Sequence, residues 1–141
     1  MTSHQTSSAP EVVRRPSGFA VGMTLFAAIV MMVAGVFQAI EGLIALFNDT
    51  VYVVGQEWIF SFDVTTWGWI HLVMGLVVAV AGYFVLTGAI WARAVGVGVA
   101  ALSALLNFVW LPYYPIYSLL IITMDVLVIW ALTAHGRDVT Q

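Results

Sequence analysis

Five polar side chains interrupt the apolar stretches of this chain: Gln38, Glu41, His71, Asn107 and Asp125. Two carboxylic acids, an imidazole and two amides are the groups from which proton relays, ligand sites and buried hydrogen-bond networks are assembled. Gln38 and Glu41 stand one helical turn apart and share a face. An ionised carboxylate against hydrocarbon is costly. Glu41 and Asp125 are therefore expected to face a bundle interior, a water-filled cavity or a partner, or to stay protonated. The plain arrangement is a packed network in which His71 donates to Glu41 or Asp125 while Gln38 and Asn107 fill the remaining hydrogen bonds. A proton or ligand site, and a contact with another subunit, are the sharper alternatives.

Other chemistries find less support. Glu41, His71 and Asp125 would offer three oxygen and nitrogen ligands, but no HExxH or closely spaced pair joins them, and no metal is expected. His71 is the one histidine inside an apolar stretch, which argues against a bis-histidine haem. Ser103 and Ser118 lack an adjacent base to activate them as nucleophiles. No glycine-rich phosphate loop occurs. No catalytic residue is assigned and no cofactor is expected, a bound lipid or quinone being the alternative.

Such side chains need membrane-spanning helices to carry them. The chain is 62% apolar and 8% charged, with a mean hydropathy of +1.04. A soluble domain carries about 25% charged residues, so these 141 residues could not cover an aqueous surface. There is no cysteine, which removes disulfides, thiolate metal sites and lipid attachment to sulfur. Four basic residues and a net charge of -3 exclude a nucleic-acid surface.

Four spans are expected, near 19–47, 67–87, 94–111 and 116–134, giving an all-α membrane bundle. The apolar run after Pro16-Ser17-Gly18 is about twice the length of a signal-peptide core. Residues 1–18 thus read as a disordered leader before a retained first helix, and 136–141 as a tail. Residues 48–66 place β-branched and aromatic side chains on either side of Gly55, the pattern of a hairpin or a surface-hugging loop outside the hydrocarbon. Gly88–Arg93 reads as a tight turn, and Pro112-Tyr113-Tyr114-Pro115 as a stiff corner.

Arg14, Arg15, Arg93 and Arg137 all fall on one side of a four-span chain. The 48–66 loop and the Pro-Tyr corner hold no Lys or Arg, so both termini are expected in the cytoplasm of a bacterial plasma membrane. On that topology the polar groups gather in the outer half. Glu41 is about 33 Å along the first helix, His71 about 6 Å below the start of the second, and Asp125 about 13 Å down the fourth.

Ala92, Gly96, Ala100 and Ala104 form a small-residue stripe on the third span, and Gly75, Ala79 and Gly82 another on the second. Such faces let helix backbones approach closely in lipid. Ordinary packing within the chain is the plain reading, a seam between copies the alternative. The six tryptophans cluster near span ends as interfacial anchors. Trp58, Phe60, Phe62, Tyr113 and Tyr114 would form an exterior aromatic surface for a partner.

Trp67-Gly68-Trp69-Ile70-His71-Leu72 with Gly75, the junction Thr87–Arg93, and Leu111-Pro112-Tyr113-Tyr114-Pro115-Ile116-Tyr117-Ser118 followed by Asp125 and Trp130-Ala131-Leu132 resemble an uncharacterised family of small four-span membrane proteins from actinobacteria. The resemblance covers about residues 19–134. It implies a topology and a bacterial plasma membrane, and it brings no catalytic residues. Short loops leave little room for a soluble catalytic shell, so the expected role is a non-enzymatic accessory or scaffold subunit of a larger membrane complex. Its partners would be membrane lipids and another membrane protein or further copies of itself, with no nucleic acid. An oligomeric transporter or proton-coupled carrier using Glu41, His71 and Asp125 is the second expectation, and a lipid- or quinone-binding protein the third.

Overall fold

Residues 17–47 and 63–134 are described by the computed structural model. Four helices follow in chain order: α1 (Gly18–Phe47), α2 (Val64–Leu86), α3 (Ile90–Trp110) and α4 (Pro115–Ala134). All four are long and apolar enough to cross a membrane. Even α4, with 20 residues, reaches about 30 Å at 1.5 Å per residue. The chain is a multi-pass membrane protein built as an all-α four-helix bundle. The leader 1–16, the loop residues 48–62 with Trp58, Phe60 and Phe62, and the tail 135–141 lie outside the described residues.

The helix boundaries follow from local hydrogen bonding. Ser17 Oγ accepts from the Ala20 N–H at 3.2 Å, occupying one of the donors left free at the start of α1. Asp63 caps α2: its carboxylate accepts from the Thr65 N–H at 3.2 Å and from the Thr66 hydroxyl at 2.8 Å. α2 therefore begins at Val64, three residues ahead of the Trp67 start expected from hydropathy, because a capping aspartate outweighs three polar or β-branched residues. These two hydrogen bonds hold the Asp63 carboxyl below the usual carboxylate range, the Thr66 hydroxyl contributing most.

The turn between α2 and α3 is shorter than Gly88–Arg93. The Gly88 N–H bonds to Val85 O at 3.0 Å and the Ala89 N–H to Phe84 O at 3.1 Å, the two-bond pattern of a Schellman cap. Gly88 takes φ 78°, a conformation that glycine enters without a Cβ penalty. α3 then starts at Ile90, so Arg93 belongs to its first turn. At the opposite end, Tyr113 and Tyr114 N–H groups both bond to Trp110 O, at 3.0 and 3.1 Å. Pro115 opens α4 at the position where its missing N–H costs nothing.

Glycines decide how α1 and α2 pair. A Cβ on Gly35 would stand 2.6 Å from Gly75 O, one on Gly42 2.6 Å from Gly68 O, and one on Gly82 2.9 Å from Ala28 O. Gly68, Gly75 and Gly82 thus repeat every seven residues against Ala28, Gly35 and Gly42, and the two backbones touch along the whole seam. The small stripe of α2 is spent on α1, whose own glycines complete it. In lipid, close backbone approach and dispersion supply the association that water would otherwise drive. α3 packs against α4 as the second hairpin, and the two hairpins meet less extensively.

Where they meet is at the Gly88 end. The buried cluster shared by all four helices comprises Ala27, Ala28 and Met31 of α1, Val78, Ala81 and Val85 of α2, Ala92 and Ala100 of α3, and Val128, Ala131 and Leu132 of α4. Phe19 packs edge-on to Trp130 at 6.0 Å there, and Phe84 lies 5.2 Å from Trp91. Toward the Pro112 end the shared cluster stops. Leu102, Leu105, Leu106, Phe108 and Val109 of α3 are all exposed, as suits side chains that meet lipid tails.

Candidate functional site

The polar side chains can be located from the packing register. Gly96 lies against Met31 and Leu132, where a Cβ would meet both side chains at 2.7–2.8 Å, so these three share one depth. In the α1–α2 seam Gly82 meets Ala28 and Met32, so the α2 residue level with Met31 is the buried Ala81. Seven residues toward the Pro112 end from Met31, Gly96 and Leu132 come Gln38 on α1, Ser103 on α3 and Asp125 on α4, whereas His71, next to the Leu72 that Gly42 meets, is level with Glu41. Seven residues are nearly two full turns, so each polar residue keeps the face of its buried apolar counterpart, about 10.5 Å away. Gln38, Ser103 and Asp125 therefore form a polar layer beyond the apolar core.

Within that layer, Ser103 is the polar side chain that meets the Asp125 carboxyl across the α3–α4 seam. Asp125 Oδ2 is buried with no hydrogen-bond partner among the described residues. His71 Nδ1 lies 3.1 Å from Trp67 O on its own helix. A carbonyl only accepts, so in this contact Nδ1 carries the hydrogen. The Trp67 ring stacks on the imidazole with centroids 3.8 Å apart and planes 26° from parallel. Gln38 is half-buried. Among the described residues His71 makes its hydrogen bond to its own helix, at Trp67 O, and none to Glu41 or Asp125.

Glu41 and Asn107 stand about one turn beyond Gln38 and Ser103, Glu41 at the depth of His71. Asn107 Nδ2 donates to Ser103 O at 3.0 Å, leaving its amide oxygen uncommitted. Glu41 is exposed and makes no hydrogen bond or ion pair with any described residue. Gly75 is the middle residue of α2 and faces Gly35. Glu41, six residues past Gly35, is thus about 9 Å from mid-span, still within the hydrocarbon thickness. Ser118, seven residues before Asp125, is fully buried with an unpartnered Oγ. Tyr113 and Tyr114 are exposed at the corner, Tyr113 packing edge-on to Trp110 at 6.0 Å.

Sequence reasoning considered Ser103 and Ser118 only as nucleophiles and passed over their place in the polar face. A signal for both was present: Ser103 extends the Ala92, Gly96, Ala100 stripe, and Ser118 shares a seven-residue spacing with Asp125 and Leu132. The arrangement can bind, orient and exchange protons. Among the described residues no group of three or more His, Asp or Glu is placed to hold a metal ion.

Neither a curated protein nor a solved structure matches this chain. The model of one protein family does, over residues 23–137, a stretch that takes in nearly all of α1 and the whole of α2, α3 and α4. With four apolar helices and most of its length inside that match, the chain belongs to the family described as a domain of unknown function, DUF7144.

Proposed function

We propose that this chain is a small non-enzymatic subunit of a larger complex in a bacterial, actinobacterial plasma membrane, with the Gly88 end and both termini cytoplasmic. The observation that carries the proposal is Glu41. A carboxylate exposed at hydrocarbon depth, with no described residue to pair with, is costly against lipid tails and is relieved by a donor from another chain. The apolar core common to all four helices stops short of that level, so a neighbour can reach the carboxylate. A second copy or a different membrane protein fills this role, and the exposed Tyr113 and Tyr114 lie at the same end.

The test is native mass spectrometry after extraction in mild detergent at native expression. Co-purification with other chains in fixed stoichiometry supports the subunit reading, as does loss of that assembly in Glu41→Leu. Recovery solely as a free monomer refutes it.

A second reading, an oligomeric proton-coupled carrier, is favoured by the unpartnered Asp125 Oδ2. Four helices enclose too narrow a space for a solute path, so such a carrier needs several copies. Asp125→Asn would then abolish a pH-dependent flux in proteoliposomes while leaving the fold intact. An unchanged flux would exclude this role. The same mass spectra would reveal a stoichiometric lipid or quinone, the third reading.

A further inference from the structure

We propose that the cleft between α1 and α4 toward the Pro112 end receives a transmembrane helix of a different protein, with a lysine or arginine of that helix paired to Glu41. That assignment names the partner in the subunit reading, on which it rests. The cleft follows from exposure along two helix faces. On α1, Ala27, Ala34 and Glu41 directly precede Ala28, Gly35 and Gly42 of the α2 seam, and so form one flank about 100° round from it. Ala27 is fully buried in the cluster shared with α4, whereas Ala34 and Glu41 are exposed. On α4, Ala131, Met124 and Tyr117 share a face by the same seven-residue spacing and pass from buried through half-buried to exposed. The two helices touch near the Gly88 end, where Phe19 meets Trp130, and diverge beyond it.

Whatever enters the cleft has to answer Glu41. Its carboxyl stands at hydrocarbon depth, and no described residue pairs with it. Lipid tails bring it neither charge nor donor. A carboxylate in low dielectric takes a cation or loses its own charge. A basic side chain carried on a helix supplies the cation and fills the space between the diverging walls.

A second copy of this chain does not supply that cation. The sequence has no lysine, and its arginines are Arg14, Arg15, Arg93 and Arg137. Copies related by rotation about the membrane normal keep every residue at its own depth. Gly96 is level with Met31, so Arg93 lies about 20 Å from the depth of Glu41, toward the Gly88 end. Arg14, Arg15 and Arg137 fall within four residues of the start of α1 or the end of α4. That length of chain reaches at most about 14 Å. The depth of Glu41 is roughly 18 Å or more from those helix ends. The partner is therefore another protein, whose helix carries one basic residue in the Pro112 half of the membrane. Small and apolar neighbours of that residue fit beside Ala34 and Met124.

The test uses the full chain in lipid vesicles, with a fluorescent donor on Thr87→Cys, and an acceptor-labelled Leu-Ala transmembrane peptide of about 23 residues. One peptide has a single lysine about six residues from its middle, matching the depth of Glu41, and its twin has leucine there. Energy transfer should show the lysine peptide associating at least tenfold more tightly than its twin. That advantage should vanish in Glu41→Gln. Ala34→Phe, which fills the cleft, should weaken binding severalfold. Both substitutions fall at exposed positions, and circular dichroism checks that helicity is retained. Equal association of the two peptides overturns the proposal, as does a lysine advantage that survives Glu41→Gln, or binding indifferent to Ala34→Phe. Native mass spectra separate the partner from the subunit reading. An assembly made only of copies of this chain overturns the proposed partner and leaves the subunit reading standing, whereas a free monomer alone refutes both.

Discussion

Replacing Gly75 by alanine tests the central packing claim directly. The new Cβ would stand 2.5 Å from Gly35 O and 2.8 Å from Ala39 Cα, where ordinary contact begins at 3.4 Å. Those atoms, and Ala39 N closer still, are backbone and cannot rotate away, so α1 must withdraw by about 1 Å. A gap of that size forfeits a quarter to a half of each atom-pair attraction of about 0.1–0.2 kcal/mol. Summed over the neighbouring turns, the loss is expected in the range of about 1–3 kcal/mol typical of overpacking. Gly98→Ala is the control, because nothing lies within 4 Å of its added Cβ. That change leaves stability unaltered or raises it by up to about 1 kcal/mol through helix propensity. Both are measured by reversible SDS unfolding in mixed micelles, followed by tryptophan fluorescence and far-ultraviolet circular dichroism. If Gly75→Ala unfolds at the same SDS fraction as Gly98→Ala, α1 and α2 are not in backbone contact and the seam is wrong.

Gly88→Ala forces a Cβ into a φ of 78° and should cost about 1 kcal/mol in the same assay, whereas Gly22→Ala, with open space around it, should cost nothing. Asp63 has its folded-state pKa lowered by the Thr66 and Thr65 hydrogen bonds, so its contribution is present above the unfolded-state pKa and is lost as pH falls through the lower, folded value. Thermal melts in detergent should therefore show a midpoint declining below about pH 4, and Asp63→Asn should lose that part of the decline. Leu132→Ala removes a side chain buried against Gly96 and Met31 and should destabilise by about 2–3 kcal/mol, read by SDS unfolding. The chain has no cysteine, so single-cysteine variants need no background changes. With the proposed topology, a membrane-impermeant maleimide labels Tyr113→Cys in intact cells and Thr87→Cys only after permeabilisation. The opposite pattern would invert the topology.

Hydropathy alone was enough to read four membrane helices, since an apolar run of about 20 residues has few other solutions in lipid. The Pro112–Pro115 corner was equally legible, because proline cannot continue a helix yet readily starts one. Less accessible was the start of α2, where the capping preference of Asp63 acts over a few residues that hydropathy averages away. The glycines were visible as small-residue stripes, but a stripe does not name its partner. That Gly75 meets Gly35, with Gly68 and Gly82 extending the seam, depends on two backbones fitting each other.

The polar residues divide along the same line. Their types, and the cost of placing them in hydrocarbon, are properties of the sequence. Their assembly is not: Gln38, Ser103 and Asp125 come to one depth because Met31, Gly96 and Leu132 set the register two turns away, and His71 comes level with Glu41 because Gly42 meets Gly68 and Leu72. Glu41, one turn beyond Gln38 on the same helix, is exposed. Sequence determined the helices and the chemistry they carry, since both arise from local periodicity and transfer cost. Which residues share a depth, and which hydrogen bonds remain open, was decided only when four backbones packed, because register is set by contacts between residues far apart in the chain.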